Sequence, residues 1–508
     1  MLLSHPRIYL DATGEYTDSL LIRRNKVLAV GEDARHAATS QDPRLRPDGA
    51  CLFPALGDAH IHLWGLGLRP GTIDLRGLDA DAALDRLADA ASGGDGWIYA
   101  TNLDEHHFSA DQQLTRRELD RLFPTRPIRI QRVDRHAIWV NGEALRRAGI
   151  DQHFQPGDDG HAARDDSGEL TGLLVDGAMT PVLEAIPPTT LTEDRQSFLE
   201  ASELLRQQGI AFCTVARCPV AHIEMLKDLA DAGELPLYVD ALVAGTDDGL
   251  EGVLRSGPFD DGGKLRIAGI KFYADGALGS AGAHLLSSYR RGGKGLAMHA
   301  PGFLKRRIPQ LMKGGWQVAV HAIGDAAARE VLDAFQDVPS QRRRQLRPRM
   351  EHAQMVDPVD APRFDELDVI ASIQPIHLRS DAPWAPTMLD DSQLSRLFAW
   401  RSLLPAALAA GSDYPIDDLN PWHGIATAMT RRGADENPFR PDHALTRREI
   451  LSAYTDGAAF ASHREDYLGK LHPGFNAEVA ILDVDPFRAE PDEIWETSAR
   501  LLSAEQVE

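Results

Sequence analysis

The chain has 508 residues, of which 43% are hydrophobic and 26% charged, and its formal net charge is -22. A barrel alone uses about 250 residues, so this length predicts one large domain with additions, while the acidic balance and the absence of any Lys/Arg-rich run argue against a nucleic-acid partner. Cys51, Cys213 and Cys218 are too few to staple such a chain and fit a reducing compartment. No run of about 18 uncharged apolar residues is present, so a cytoplasmic protein with no membrane segment is expected.

From Leu20, LLIRRNKVLAVGE alternates apolar residues around a polar turn, as a hairpin does. A similar signal returns in NAEVAILDVDP, residues 476–486. The two ends, 1–54 and 466–508, are expected to form a small composite β-sandwich domain beside a barrel domain spanning 55–465.

Between the ends, apolar runs of strand length alternate with amphipathic helical patterns. The first strand runs into FPALGDAHIHLWGLG (53–67). The others are GIAFCTVA (209–216), LPLYVDALVA (235–244), RIAGIKFYAD (266–275), GWQVAVHAIG (315–324), RPRMEHAQM (347–355), DVIASIQPI (368–376) and AALAAGSDYPI (406–416). DRQSFLEASELLRQQG, AHIEMLKDLADAG, GFLKRRIPQLMKGG, AAAREVLDAFQDV and SRLFAWRSLLPAALAAG read as helices among them. Eight strands, each followed by a helix or a long connection, predict an α/β fold, a (β/α)8 TIM-like barrel. The first and second strands stand about 145 residues apart, far more than a crossover needs. Residues 74–185 are therefore read as an insertion within the barrel domain, with a strand in RPIRIQRV (126–133) and a loop or hairpin in QPGDDGHAARDDSGELTG (155–172).

Barrel enzymes keep their active sites at the C-terminal ends of the strands. Those ends supply His60 and His62, Lys271, His321, His352 and Asp413. Residues two apart on a strand share a face, so His60 and His62 can converge. Each residue alone has a structural explanation: Lys271 as a snorkelling cation, His321 as a satisfied core histidine, His352 as a buried pair with Glu351, Asp413 as a turn cap. Lysine is scarce, eight in the whole chain, so Lys271 is not the default cation of this sequence. Such residues recurring at separate strand ends of one barrel point to a metal site.

The segments FPALGDAHIHLWGLG, RHAIWVNGEALRRAGI, GIKFYADGALGSAGAHL, VAVHAIGDAAAREVLDAF, RPRMEHAQMVDP, IASIQPIHLRSD and AAGSDYPIDDLNPWHGIATAMTR carry a resemblance over almost the whole chain. In them the chain resembles the amidohydrolase superfamily, specifically the amidohydrolase family 3 branch of YtcJ-like and N-substituted formamide deformylase-like metal-dependent hydrolases. The resemblance implies two divalent metal ions. His60, His62 and Asp413 would hold one, His321 and His352 the other, and an N6-carboxylated Lys271 would bridge them. Imidazole with carboxylate oxygen suits zinc best, with iron, manganese and nickel as alternatives.

The same resemblance implies hydrolysis of a non-peptide, amide-like C–N bond in a small molecule, of N-formyl or N-acyl type, by metal-bound hydroxide, with Asp413 as general base and then general acid. Trp64, Gln374, His377 and Trp384 stand where loops line such a pocket, and ordinary loop packing is the alternative. His136, in VDRHAIWVN, is the candidate donor to a tetrahedral oxyanion. Asp275, Gly276 and Ser280 are read as shaping the loop after Lys271. Enzymes of this size often form homodimers.

The chain also departs from its relatives. Ala281 stands where many carry arginine, and TVARCP places Arg217 and Cys218 where an acidic residue is common, which leaves substrate preference open. The same metals on this fold also serve deaminases, lactonases and decarboxylases, and a catalytically silent barrel is a third reading. VAVHAIGDAAAREV lacks the nearby glutamate of one-metal deaminases, and Lys271 favours two metals.

Overall fold

Eight parallel strands form the frame of the larger unit: β1 Leu56–Ile61, β2 Ile210–Cys218, β3 Tyr238–Ala244, β4 Leu265–Tyr273, β5 Gln317–Ala322, β6 Arg349–His352, β7 Ile370–Ile373 and β8 Leu408–Ala410. The computed structural model describes residues 1–64, 71–90, 96–103, 105, 108, 114–132, 137–157 and 160–502. The chain divides into two compact units, Met1–Leu63 with Ala201–Glu508, and Trp64–Glu200.

Nearly every residue of the eight strands is buried, because helices cover one face of a parallel sheet and the barrel interior fills the other. Each strand pairs in parallel with the next from β1 to β8. The cylinder closes just beyond the strand ends, where Asp413 N donates to His60 O and His62 N to Tyr414 O, both at 2.8 Å. The Asp58 carboxylate clasps this seam by accepting from His60 N at 2.9 Å and from Ser412 Oγ at 2.5 Å. Gly411 makes the approach feasible, since a Cβ there would stand 2.4 Å from His60 N. The result is a TIM-like barrel.

One expected helix does not form. Residues 395–411 carry helical spacing, yet only a short 3-10 turn, Trp400–Leu403, precedes β8. Phe398 adopts a left-handed φ of 53°, and its carbonyl accepts from the buried Arg431 guanidinium at 2.9 Å. That tertiary contact overrides the local pattern.

Strands from both ends of the chain share one seven-stranded sheet. Leu2–Tyr9, Tyr16–Arg23, Lys26–Val30, Arg44–Leu45 and Cys51–Pro54 come from the first part, and Val479–Leu482 and Ala499–Leu501 from the last. Arg24 and Asn25, both left-handed, turn the hairpin between Tyr16–Arg23 and Lys26–Val30. Leu3, Ile8, Leu20, Ile22, Leu52, Val479 and Ile481 join in one apolar cluster.

The second unit has its own six-stranded sheet, in which Gly160–Arg164 and Leu170–Asp176 form an antiparallel hairpin and Ile128–Arg132 lies inside. Ile138 and Val140 pack into one apolar cluster and Trp139 into another, as the two-residue alternation of a strand requires. Among the described residues no helix is long and apolar enough to cross a membrane. All three cysteines are free and buried.

Candidate metal centre

The ends of β1, β4, β5, β6 and β8 bring the expected ligands together. Lys271 Nζ lies 3.4 Å from His60 Nε2. Asp413 Oδ1 stands 3.3 Å from that same nitrogen and 3.0 Å from His62 Nε2. The ring of His352 is 4.9 Å from that of His60 and 4.5 Å from that of His321. His60, His352 and Asp413 offer ligand atoms that all lie within 4.8 Å of one another.

Two of these residues reach the centre through unusual backbone. Strand alternation points Arg349 and Glu351 into the barrel and would turn His352 outward. His352 instead has a φ of 71°, and Asp413, beyond β8, has one of 55°. Such conformations cost of order 1–3 kcal/mol and persist where surrounding structure imposes them, often at functional sites.

The donor set suits a cation. Although Asp413 Oδ1 sits close to two ring nitrogens, neither approach is aligned as a hydrogen bond; among the described residues His321 Nε2 and His352 Nδ1 are likewise buried without one. Buried polar atoms without partners cost free energy, and a cation accepting these lone pairs removes that cost. Burial and the nearby Lys271 hold His321 down to about 3; burial and His321 hold His352 well below its ordinary value; burial lowers His62. All three imidazoles are therefore neutral at pH 7. Burial alone would raise the Asp413 carboxyl, but His60, where the surroundings favour positive charge, holds it well below the usual range, so it is ionised. Neutral imidazoles with a carboxylate are the ligands of zinc and similar divalent ions.

Burial and Lys271 oppose a charge on His60, yet Asp413 and Glu351 outweigh them and raise its pKa. The field at this point thus favours positive charge. Lys271, buried, is pushed down to about 8. At pH 7 roughly a tenth is then the free amine, the form that can take up carbon dioxide, far more than for an ordinary lysine.

Behind the ligands lies a pair that the sequence did not reveal. Glu351 Oε2 accepts from His60 Nδ1 at 2.5 Å, so Glu351 partners His60 across the barrel rather than its neighbour His352. Arg349 donates to Glu351 Oε1 at 2.7 Å and Oε2 at 3.2 Å, and also to Ala59 O, Ser372 Oγ and Thr214 Oγ1. Burial would raise Glu351, but Arg349 and His60 keep it well below its ordinary value. The motif Arg-x-Glu on one strand was the available signal: both side chains share the inner face.

The chemistry and the fold together call for comparison with known proteins. The amidohydrolase family pattern matches residues 48–505. The chain belongs to the amidohydrolase family. It is 30% identical over 509 residues to the YtcJ protein of Bacillus subtilis (strain 168), covering 95% of this chain and 93% of the relative. It is 25% identical over 511 residues to the N-substituted formamide deformylase of Arthrobacter pascens, covering 96% of this chain and 94% of the relative. A metal-dependent hydrolase from Pyrococcus horikoshii OT3, of uncharacterised function, superposes with a TM-score of 0.78 at 27% identity, over 97% of this chain and 99% of that one.

In this amidohydrolase the residues expected at the pocket are placed differently from one another. His377 Nε2 lies 3.6 Å from Asp413 Oδ2, and its ring stacks 5.8 Å from that of His352. Gln374 is buried, donating to Ser372 O at 3.2 Å, while its Oε1 has no hydrogen bond among the described residues. Trp64 belongs to the second unit, where its indole donates to Asp194 O at 3.3 Å and stacks on Phe198. His136 lies outside the described residues. Asp275 accepts from the backbone N–H groups of His284, Ile323 and Gly324 at 2.8, 3.0 and 2.8 Å, tying the loop after β4 to the exit of β5. Cys218 is buried, and burial pushes its thiol further up, so no thiolate nucleophile is available there.

Proposed function

We propose that this metal-dependent amidohydrolase cleaves an amide-like C–N bond other than a peptide bond, in a small N-formyl or N-acyl compound, with Asp413 moving the proton. The observation that carries this reading is the position of Asp413: an ionised, buried carboxylate with Oδ1 at 3.0 and 3.3 Å from two imidazoles and Oδ2 facing His377 at 3.6 Å. The formamide deformylase among the relatives supports the choice of bond.

His60, His62 and Asp413 would hold one divalent ion, zinc by preference, and His321 and His352 a second, with Lys271 joining them as an N6-carboxylated side chain. Bound there, such ions lower the pKa of water towards neutrality and polarise a carbonyl. The chain's own groups do the rest. Asp413, held ionised, accepts the proton of the attacking water and returns it to the leaving nitrogen. Glu351 fixes the tautomer of His60 by accepting from Nδ1, leaving Nε2 as the lone-pair atom, and Arg349 fixes Glu351. His377 faces the second oxygen of Asp413, where it can orient a substrate oxygen or nitrogen.

The test combines metal analysis with a panel of formamides, acylated amines, lactones and aminated rings. About two ions per chain with release of amine is the expected result. Ammonia from a ring, or turnover of lactones alone, would overturn the choice of bond, and metal-free inactivity would leave the barrel a binding scaffold.

A further inference from the structure

The C-terminal end of β2 is irregular. Its register against β3 slips between Ala216 and Cys218, which makes Arg217 the extra residue of a bulge. Arg217 has a φ of 70°. Bulges re-aim side chains, and left-handed backbone outside glycine gathers at functional sites. In the burial pattern of the strand Arg217 alone is exposed, and among the described residues its guanidinium has no hydrogen bond or ion pair.

Tyr273 stands on the other side of β3. It shares the inner face of β4 with Lys271. Lys271 Nζ lies 5.3 Å from its ring centroid, and its ring is 5.1 Å from that of His321, so Tyr273 rises just above the metal ligands. Among the described residues its hydroxyl also has no hydrogen bond. Between Arg217 and Tyr273, β3 ends in Ala244, which lies in register with Lys271 and shares its inner face, while at Gly245 the ring of Phe272, from the opposite face of β4, takes the place a Cβ would need. On the inner face the end of β3 thus carries only the methyl of Ala244, a notch between the strand ends that bear Arg217 and Tyr273. The two are electrically close: burial pushes the Tyr273 hydroxyl up to about 12, and Arg217 pulls it down.

We propose that Arg217 and Tyr273 bind a carboxylate on the substrate, remote from the bond that is cleaved. The proposal rests on the C–N hydrolase reading above and adds the substrate's charge to it. A guanidinium matches a carboxylate with two parallel N–H groups, and the phenol supplies a third donor. Tyr273 lies two residues beyond Lys271, about 7 Å along the strand, which places the carboxylate four or five bonds from the reacting carbon. In this chain Arg217 thus supplies a cation at the C-terminal end of β2.

The probes are 4-formamidobutyrate and its neutral counterpart N-butylformamide, with metal-loaded protein. The expected result is a kcat/KM at least about tenfold higher for the acid, expressed in KM, with Arg217→Gln removing most of that preference and Arg217→Lys restoring part of it. Calorimetric binding of the same two compounds gives an answer independent of turnover. Tighter binding of the acid without hydrolysis of either compound would overturn the C–N reading and keep the notch. Equal binding of the two, unchanged in Arg217→Gln, would overturn the notch whatever the turnover.

Discussion

In the proposed reaction Asp413 is asked to be a ligand and a proton carrier at once, and its environment is compatible with both. His60 keeps it ionised, while its two oxygens face different partners, His62 and His377. Asp413→Asn preserves the shape and removes the basic oxygen, so turnover should fall by at least about a hundredfold with much of the metal retained. Full activity in that variant, measured beside its metal content, would reject the role. Glu351→Gln tests the layer behind. An amide in place of the carboxylate weakens the bond that orients His60, and metal affinity should drop roughly 10–100-fold. A competition titration with a chromophoric chelator reads that change directly.

The reach of the sequence at this scale was uneven for a physical reason. His60, His62 and Lys271 were legible because they end long apolar runs with regular alternation. The pairing of Glu351 with His60 was not, because alternation turns Glu351 into the barrel, where its partner comes from a strand 291 positions away. Chain neighbours gave the wrong partner because adjacent residues of a strand face opposite sides.

Among the elements, the seam between β8 and β1 is the most sensitive. Gly411→Ala would drive a methyl onto His60 N at 2.4 Å and Asp58 Oδ1 at 2.5 Å. The expected cost is about 1–3 kcal/mol of stability, read as a shift in denaturant midpoint, accompanied by weakened metal binding because the seam carries three of the proposed ligands. His463, following the helix Asp456–Ala461, gives a pH signal remote from the centre. Burial first, and then Arg266 and Arg347, hold it down to about 3. Between that value and its ordinary 6.5 the unfolded chain binds more protons than the folded one, so this residue's contribution to stability falls as pH falls through that window. The slope is at most about 1.4 kcal/mol per pH unit. His463→Gln should flatten the pH dependence of the denaturant midpoint between pH 6.5 and 4, and an unaltered slope would show that His463 does not titrate this way. Strands were the more legible elements here, since burial on both faces leaves an apolar signature that no loop imitates. The helix expected over 395–411 failed because Arg431, distant in sequence, binds the carbonyl that a helix would have needed.

For the molecule as a whole, five strands contribute to one cluster, so cation binding and barrel stability are linked. Removing bound ions with a chelator should lower the melting temperature, and zinc should restore it. A ligand present at a hundred times its dissociation constant contributes about 2.7 kcal/mol to the folded state. An unchanged melting curve after verified metal removal would show that the cluster is rigid without its ions. The overall architecture was readable because eight apolar runs with helical patterns between them admit few other arrangements. The second unit's limits, Trp64–Glu200, were less so. Its strands have the same apolar alternation as any half-buried sheet, and nothing in the residues marks where contacts with one core give way to contacts with another.

The clasp joining Asp58 to Ser412 spans 354 positions of the chain. During synthesis from the N-terminus, His60 and His62 leave the ribosome early and wait for almost the entire barrel before Asp413 arrives beside them. A nascent chain stopped short of that residue can offer a cation only part of its coordination. Completion of the candidate centre thus waits for the far end of β8, and a chain that ends before Asp413 lacks the carboxylate that His60 and His62 face.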